Sequence, residues 1–339
     1  MLAFCFLVCV FVLSIANGAN DNFKGMATLW GSGTLSYKRA LILANVATFL
    51  GGCLAIFLGG ELLKTFSGKG IVGAEVLSDP KFALVFAFGA AFTVSAATIV
   101  KYPVSTTHAI LGSLAGAAYA FSSHDANFGI LFDKGFIPLL LSPLIAIALT
   151  FSLWRLSNVL LSGPTVAPLV GGAIGRDQMR NQMLAELSPS RSLDRAHMVS
   201  GFCVCFARGV NDTPKIASIF LIANSLQLSG AMIFISIAIL MVTGGLFLAR
   251  DVANVMSHEV TGMTPAQGFV GNIVTALLVI FASKFGLGVS TTHVSVGSLF
   301  GIGALSGQAK WRKIAQILAA WILTVPCGFG AALLIAMML

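Results

Sequence analysis

Thirteen residues in the first half of this chain return almost unchanged in the second half. Residues 104–116 read VSTTHAILGSLAG, residues 289–301 read VSTTHVSVGSLFG, and nine of the thirteen positions are identical. A motif duplicated in this way indicates a repeated structural unit, and it limits the fold more than any other feature of the sequence. The chain is therefore predicted to contain two equivalent halves.

A second motif is duplicated more loosely. GANDNFKG at residues 18–25 and GVNDTPKI at residues 209–216 keep Gly, Asn, Asp and Lys in register. The motifs occur in the same order in each half, with 84 residues between the Asp and the Ser in the first half and 78 in the second. The second GxND motif lies in mid-chain, where no secretory signal can stand. Residues 1–16 are therefore predicted to be a half-helix that stays in the protein.

Composition sets the class of protein. Of the 339 residues, 57% are hydrophobic and only 9% are charged, whereas soluble domains have about 25% charged residues. The chain is therefore predicted to be an all-α protein that crosses a membrane several times. The formal net charge is +8, but the basic residues form no stripe interleaved with aromatic residues, so no nucleic-acid partner is expected. The six cysteines lie in apolar runs and are interpreted as small core residues, without a disulfide or metal site.

The apolar segments predict about ten membrane elements, five in each half. Those of the first half are a broken helix at 1–34, a helix at 40–59, a pair at 82–100 and 108–121, and a long helix at 136–160. Those of the second half are a broken helix at 198–223, a helix at 231–249, a pair at 266–284 and 292–305, and a helix at 314–339. The second member of each pair is shorter than the roughly 20 residues that a crossing needs, so each pair is predicted to be a re-entrant hairpin. The predicted domains are a first repeat at 1–160, a cytoplasmic linker at 161–197 and a second repeat at 198–339.

Each half then crosses the membrane an odd number of times, which predicts that the two repeats are inverted. The distribution of basic residues supports this orientation. The loops predicted to be cytoplasmic hold ten basic residues, namely Lys38, Arg39, Arg176, Arg180, Arg191, Arg195, Arg250, Lys310, Arg312 and Lys313. The opposite loops hold four, namely Lys64, Lys69, Lys81 and Lys134. Both termini are therefore predicted to lie outside, and the expected location is the plasma (inner) membrane.

Broken helices with polar motifs at equivalent positions of two repeats predict a binding site near the middle of the membrane. Each STT sequence supplies hydroxyl and backbone N–H donors at the start of a helix, where the positive end of the helix dipole suits an oxyanion. Asp21 and Asp212, beside Asn20 and Asn211, supply the hard oxygen ligands that cations prefer. An anion site flanked by two cation sites is typical of a cation-coupled anion symporter.

The doubled GxND and STTH motifs together resemble the inorganic phosphate transporter family, which includes sodium- and proton-coupled members and some sulfate permeases. The resemblance covers essentially the whole chain, and it implies an inverted-repeat transporter that takes up a tetrahedral oxyanion. By position, it implies oxyanion binding by Ser105, Thr106, Thr107, Ser290, Thr291 and Thr292. It also implies cation binding by Asn20, Asp21, Asn211 and Asp212, with sodium at the two aspartates.

Two lysines depart from that family pattern. The usual motif is GxNDxxN, whereas here the third residue after each Asp is Lys24 or Lys215; Thr48 stands where many members have a glutamate. An i,i+3 spacing lets each lysine meet its own Asp on one helix face. Two interpretations stay open. The lysines form simple salt bridges or extend to a membrane interface, or each is a fixed ammonium in the place of a sodium ligand, which would hold the anion or link transport to protons.

Three other residues leave alternatives open. His108 and His293 end the STTH motifs and are either ordinary core histidines or modulators that carry protons. Arg208, which precedes the second GxND motif and aligns with Asn17, either neutralises Asp212 or lies at the mouth of a cavity.

The favoured function is uptake of inorganic phosphate by a sodium- or proton-coupled symporter with alternating access. Phosphate near neutral pH can donate a hydrogen bond to a buried carboxylate, whereas sulfate only accepts, so phosphate is favoured over sulfate. A sulfate permease and a passive anion channel are the alternatives. An intramembrane hydrolase built on Ser105 and His108 is rejected, because catalysis needs one such pair and the sequence has two. The expected partners are phosphate, sodium or a proton, and the lipid bilayer; a homodimer is left open, and no cofactor is expected.

Overall fold

The computed structural model describes residues 1–161, 191–223 and 228–339, and within these ranges the protein is built from helices without a β-strand. The helices of the first half are α1 (Leu2–Asp21), α2 (Ala27–Gly31), α3 (Tyr37–Leu58), α4 (Gly60–Phe66), α5 (Ala74–Ser78), α6 (Pro80–Ile99), α7 (Thr106–Ser122), α8 (Phe128–Leu131) and α9 (Ile137–Leu161). Those of the second half are α10 (Arg191–Ala223), α11 (Gly230–Leu248), α12 (Arg250–Asn254), α13 (Pro265–Lys284), α14 (Thr291–Ser306) and α15 (Trp311–Met338). Short π-helical turns at Phe132–Phe136 and Val255–Glu259 follow α8 and α12.

Seven of the described helical stretches are long and apolar enough to cross a membrane. They are α1, α3, α6, the continuous stretch Phe128–Ser157, α11, α13 and α15. The prediction of an all-α protein that passes through a membrane several times is therefore confirmed. Most of the predicted linker, residues 162–190, lies outside the described residues.

The two predicted broken helices differ in the structure. In the first half α1 ends at Asp21, a run of turns follows, and α2 begins at Ala27, as expected for a break at the GxND motif. In the second half the prediction of a break is wrong, because α10 runs unbroken through GVNDTPKI and begins at Arg191 rather than near 198. Pro214 removes one backbone donor but is compatible with helical φ. Packing against α3 stabilises the helical conformation of this segment of α10. The two helices are in direct contact, since a Cβ on Gly209 would lie 2.4 Å from the carbonyl oxygen of Thr48.

Each half contains a hairpin of one long and one short helix. In the first half the hairpin is α6 with α7, and in the second it is α13 with α14. Every end of these helices lies within two residues of the predicted one. Lys101 and Gly286 hold equivalent positions in the two connections and both have left-handed backbone angles, φ 64° and 68°. The long arms are candidate spans and the short arms, with 17 and 16 residues, are not. Re-entry of the hairpins stays a prediction.

Helices of one half pack against helices of the other in matching pairs. In the first pair α1 packs on α11 and α10 packs on α3; in the second, α7 packs on α15 and α14 packs on α9. The glycines of the STTH segments allow this close approach, as their small-xxx-small spacing predicts. A Cβ on Gly112 would lie 2.3 Å from the carbonyl oxygen of Val325, and one on Gly297 would lie 2.7 Å from that of Pro143. The polar motifs are therefore held between the two halves.

Candidate functional site

The two STT segments meet in the protein interior. Ser105 and Ser290 are the N-cap residues of α7 and α14, and their hydroxyl oxygens accept hydrogen bonds from the backbone N–H groups of His108 (3.1 Å) and His293 (3.2 Å). The six hydroxyl side chains predicted to bind an oxyanion are at most 3% exposed, namely Ser105, Thr106, Thr107, Ser290, Thr291 and Thr292. The repeat therefore buries two helix N-termini and their hydroxyl groups.

Two threonines connect the segments by equivalent bonds. The Thr107 hydroxyl donates to the carbonyl oxygen of Val289 at 3.1 Å, and the Thr292 hydroxyl donates to that of Val104 at 2.6 Å. Each bond runs from one half of the chain to the other. The hydroxyl-rich helix starts are thus neighbours in one site.

The two aspartates lie at the same site, between the halves. The Asn17 amide donates to Asp21 Oδ2 and to Asp212 Oδ2, both at 3.3 Å, and to the Thr106 hydroxyl at 2.8 Å. The Thr106 hydroxyl also donates to Asp21 Oδ2 at 3.2 Å. One amide group therefore joins both carboxylates to the first STT segment.

Asn20 is bonded to the connection of the first hairpin, and Asn211 is bonded to the end of the long arm of the second. Asn20 donates to the Tyr102 carbonyl oxygen at 2.9 Å and accepts from the Val104 backbone N–H at 3.0 Å. Asn211 accepts from the Ser283 hydroxyl at 3.1 Å and donates to Asp212 Oδ1 at 3.0 Å. In this structure their side chains position these parts of the hairpins, and cation binding by Asn20 and Asn211 stays a prediction.

Lys24 and Lys215 are buried and lie inside the site, with 3% and 0% of their surface exposed. An interfacial position is therefore wrong for both. Lys24 forms an ion pair with Asp21 and donates to the Thr292 hydroxyl and to the Val104 carbonyl oxygen. Lys215 Nζ lies 3.6 Å from Asp212 Oδ1 and donates to the Thr107 hydroxyl and to the Val289 carbonyl oxygen, both at 2.8 Å. The salt bridges predicted from the i,i+3 spacing are thus present, and each lysine also reaches the STT segment of the opposite half.

Arg208 adds a third buried cation. Its Nε lies 3.3 Å from Asp212 Oδ2, and its terminal nitrogens donate to the side-chain oxygens of Asn17 and Asn22. Of the two alternatives, neutralisation of Asp212 is the one that the structure supports, since Arg208 is only 1% exposed. Asn22 in turn donates to Asn45 at 2.7 Å. A chain of amides therefore connects Arg208 with α3.

The charges of this cluster do not cancel. Three cationic side chains, Lys24, Lys215 and Arg208, accompany two carboxylates, which leaves one surplus positive charge when all five are ionised. The two helix N-termini add the positive ends of their dipoles. A buried surplus of positive charge beside hydroxyl and N–H donors is chemically suited to binding an anion.

His108 and His293 form a pair at the edge of this cluster. Their rings lie at 83° with centroids 4.4 Å apart, and the His293 ring stacks on Trp321 with centroids 3.7 Å apart. His293 Nδ1 lies 3.2 Å from the Leu139 carbonyl oxygen. The Trp321 indole donates to the Pro103 carbonyl oxygen at 3.2 Å. The pair therefore packs behind the first STT segment, and a role in moving protons stays a prediction.

The bridging role of Asn17 and the contribution of Asn22 are not predicted by the repeat. Both residues lie on the first broken helix, but neither has an identical residue at the equivalent position of the second half, where Arg208 and Thr213 stand. The repeat indicates the site by its duplicated residues, so it does not indicate a residue that occurs in one half alone. A polar residue one helical turn before Asp21, on the same face, is the signal that could have found Asn17.

Known proteins resemble this chain along its length. A family model described as the phosphate transporter family matches residues 17–332. The chain is 26% identical to the chloroplastic inorganic phosphate transporter 2-1 of Arabidopsis thaliana, an alignment that covers 97% of this chain and 70% of that protein. It is 27% identical to a Bacillus subtilis protein named "Probable low-affinity inorganic phosphate transporter", covering 96% of this chain and 93% of the relative. A solved structure described as "The sodium-dependent phosphate transporter" shares the fold, with a TM-score of 0.83, 22% identity, and coverage of 99% of this chain and 98% of that one.

Proposed function

This chain belongs to the phosphate transporter family, and from that premise we propose that it takes up inorganic phosphate through the site between the two STT segments. The family and its relatives are transporters and permeases rather than enzymes. The observation that carries the proposal is the buried surplus of positive charge formed by Lys24, Lys215 and Arg208 around two carboxylates. Phosphate is bound there by the hydroxyl groups of the STT segments and by the helix N-termini.

The carboxylates favour phosphate over sulfate at this site. Phosphate keeps a proton near neutral pH and can donate it in a hydrogen bond, whereas sulfate has no proton to donate. Asp21 and Asp212 are hydrogen-bond acceptors buried within the site. A bound sulfate also has only acceptor oxygens, so it would face these carboxylates without a proton to share. A sulfate permease of the same family is the alternative that this argument disfavours.

The transport mechanism in this proposal is alternating access driven by a sodium or proton gradient. The position of the site supports it, because the site lies between the two halves of the chain, where inverted-repeat transporters bind their substrates. A passive anion channel is the second candidate, since hydroxyl-lined hairpins also suit pores. Carboxylates beside an anion path repel the anion unless a cation or a lysine compensates them. Lys24, Lys215 and Arg208 compensate them here, so accumulation against a gradient is the observation that separates a symporter from a channel.

Uptake by purified protein in liposomes tests the proposal. Labelled phosphate should accumulate above its outside concentration when an inward proton or sodium gradient is imposed, and an ionophore that collapses the gradient should abolish this accumulation. At zero membrane potential a channel would only equalise the phosphate concentrations on the two sides. Unlabelled phosphate should compete, and an equal excess of sulfate should not. Sulfate that competes as well as phosphate does would refute the preference.

A further inference from the structure

The ammonium groups of Lys24 and Lys215 have matching sets of neighbours. Each contacts one carboxylate oxygen of its own GxND motif and one threonine hydroxyl of the opposite half, Thr292 for Lys24 and Thr107 for Lys215. Each also contacts the carbonyl oxygen of the valine that precedes the STT segment of its own half. An ammonium has three N–H donors. The three oxygens accept all three from Lys24, whereas Lys215 donates to two of them and holds the Asp212 carboxylate as an ion-pair partner 3.6 Å away.

This set of oxygens is also the kind that binds a small cation. Carboxylate, hydroxyl and unwound backbone carbonyl oxygens are hard ligands, and transporters of inverted-repeat folds use such carbonyls for sodium. Here the ammonium groups occupy both sets. A sodium ion added to either one would lie beside a positive charge and would lose oxygens already engaged by the lysine. The residues present therefore do not fit a sodium ion at the two aspartates.

We infer that Lys24 and Lys215 are tethered cations that replace two sodium ions, so that this protein moves its anion without sodium. The occurrence of a lysine at the same position of both GxND motifs is further support for this inference. A surface lysine arising by chance would have to occur at the same motif position in both halves and to find the same three oxygens each time. Neither lysine is on the surface, and the Lys215 ammonium also lies 5.6 Å from the centroid of the Phe66 ring.

The consequence for transport, which rests on the proposed function, is that the proton is the coupling ion that remains when sodium is excluded. The lysines cannot leave with the substrate, so they compensate Asp21 and Asp212 in every state of the cycle. Lys24 and Lys215 also hold the two halves together, because each donates a hydrogen bond to a threonine hydroxyl of the opposite half, Thr292 or Thr107. An anion that accepts hydrogen bonds from these ammonium groups competes with the threonine hydroxyls and loosens the contact between the halves.

Sodium binding to the purified protein in detergent tests the inference without requiring transport. The parent should show no saturable binding of radioactive sodium, and its unfolding temperature should respond equally to sodium chloride and choline chloride. Lys24→Asn and Lys215→Asn free one set of oxygens each, so each variant should acquire saturable sodium binding and a sodium-specific rise in unfolding temperature. Lys64→Asn is the matched control, because Lys64 pairs with Glu61 at the same i,i+3 spacing, 2.7 Å apart, but on the exposed surface. It should behave like the parent.

Saturable sodium binding by the parent would overturn the inference, and so would folded Lys24 and Lys215 variants that gain no sodium affinity. If the variants do not fold, the parent measurement alone decides. In liposomes, parent phosphate uptake should change less than about twofold when choline replaces sodium at fixed pH and membrane potential, and a sodium-dependent rise of about tenfold would overturn the inference. A parent that binds no sodium and moves no phosphate would refute the proposed function and leave the sodium result standing.

Discussion

Asp21 and Asp212 occupy equivalent positions in the sequence, but their cationic neighbours differ. Asp21 is paired with Lys24, whereas Asp212 has both Lys215 and Arg208 within 4.0 Å. The lysine pairs could be predicted because they depend on a spacing of three residues along one chain segment. The contacts of Arg208 with Asn17 and Asn22 join residues 191 and 186 positions apart. No local spacing could have revealed them.

Removal of the threonine hydroxyls is expected to weaken phosphate binding. Thr106→Val, Thr107→Val, Thr291→Val and Thr292→Val each remove one hydroxyl while the size of the side chain is kept. Without the anion three of these hydroxyls donate to Asp21, Val289 and Val104, and in the proposed complex they turn to the anion instead. A hydrogen bond to a charged group contributes about 1.5–3 kcal/mol, which is roughly 10- to 150-fold in affinity. The concentration for half-maximal phosphate uptake should rise by that factor in each variant.

Thr243→Val is the control for this series. The Thr243 hydroxyl donates only to the Ile239 carbonyl oxygen within α11, at 3.0 Å and away from the site. Its uptake should match that of the parent. Unchanged uptake in all four variants of the STT segments would remove them from the anion site.

Arg208 is expected to contribute to stability as well as to the charge of the site. Arg208→Gln leaves Asp212 with one cation instead of two and breaks the bonds to Asn17 and Asn22. Breaking a buried ion pair typically costs about 3–5 kcal/mol, so the unfolding temperature in detergent should fall clearly below that of the parent. Arg250→Gln, at an exposed arginine near Tyr37, should unfold with the parent. Equal unfolding of Arg208→Gln and the parent would mean that Lys215 alone compensates Asp212.

At the scale of the elements, the hairpins can be predicted because capping residues in the local sequence mark where each helix begins. Asp79 and Thr264 cap the long arms, and Ser105 and Ser290 cap the short arms. The break in α10 was predicted wrongly because it was transferred from the first motif by analogy. Whether a helix continues past a proline depends on what packs around it, and the close contact of Gly209 with α3 is not visible in the sequence of α10.

The contact between α1 and α11 is expected to tolerate no added methyl group. A Cβ on Gly18 would lie 1.8 Å from the Met241 carbonyl oxygen, and one on Gly244 would lie 1.9 Å from that of Ile15. Backbone atoms cannot move aside as a flexible side chain can, so Gly18→Ala should destabilise the protein by about 1–3 kcal/mol. Gly330→Ala in α15 is the control, because its Cβ would meet no atom within 4 Å. Thermal unfolding in detergent should separate the two variants, and equal stability would mean that the helices can move apart freely.

At the scale of the whole molecule, the ends of the hairpins bear on the predicted inversion of the repeats. Lys101, at the end of the first hairpin, forms an ion pair with Asp251 at 3.1 Å. Gly286, at the end of the second, accepts a hydrogen bond from Thr65 at 2.9 Å. Thr65 lies in α4, which precedes α6 in the chain, and Lys101 lies two residues after the last residue of α6. The helix α6 has 20 residues and a length of about 30 Å, which is long enough to place these two ends on opposite sides of a bilayer.

Inverted repeats therefore predict that the two hairpin ends lie on opposite faces of the membrane. Single cysteines introduced by Lys101→Cys and Lys284→Cys, in a background without the six native cysteines, should react with an impermeant maleimide from opposite faces of sealed vesicles. Lys69→Cys should react from the same face as Lys284→Cys, and Arg312→Cys from the same face as Lys101→Cys. The positive-inside rule makes the Arg312 face the cytoplasmic one, because Lys310, Arg312 and Lys313 lie together there. Labelling of Lys101→Cys and Lys284→Cys from one common face would contradict inversion, because equivalent positions of parallel repeats share a face.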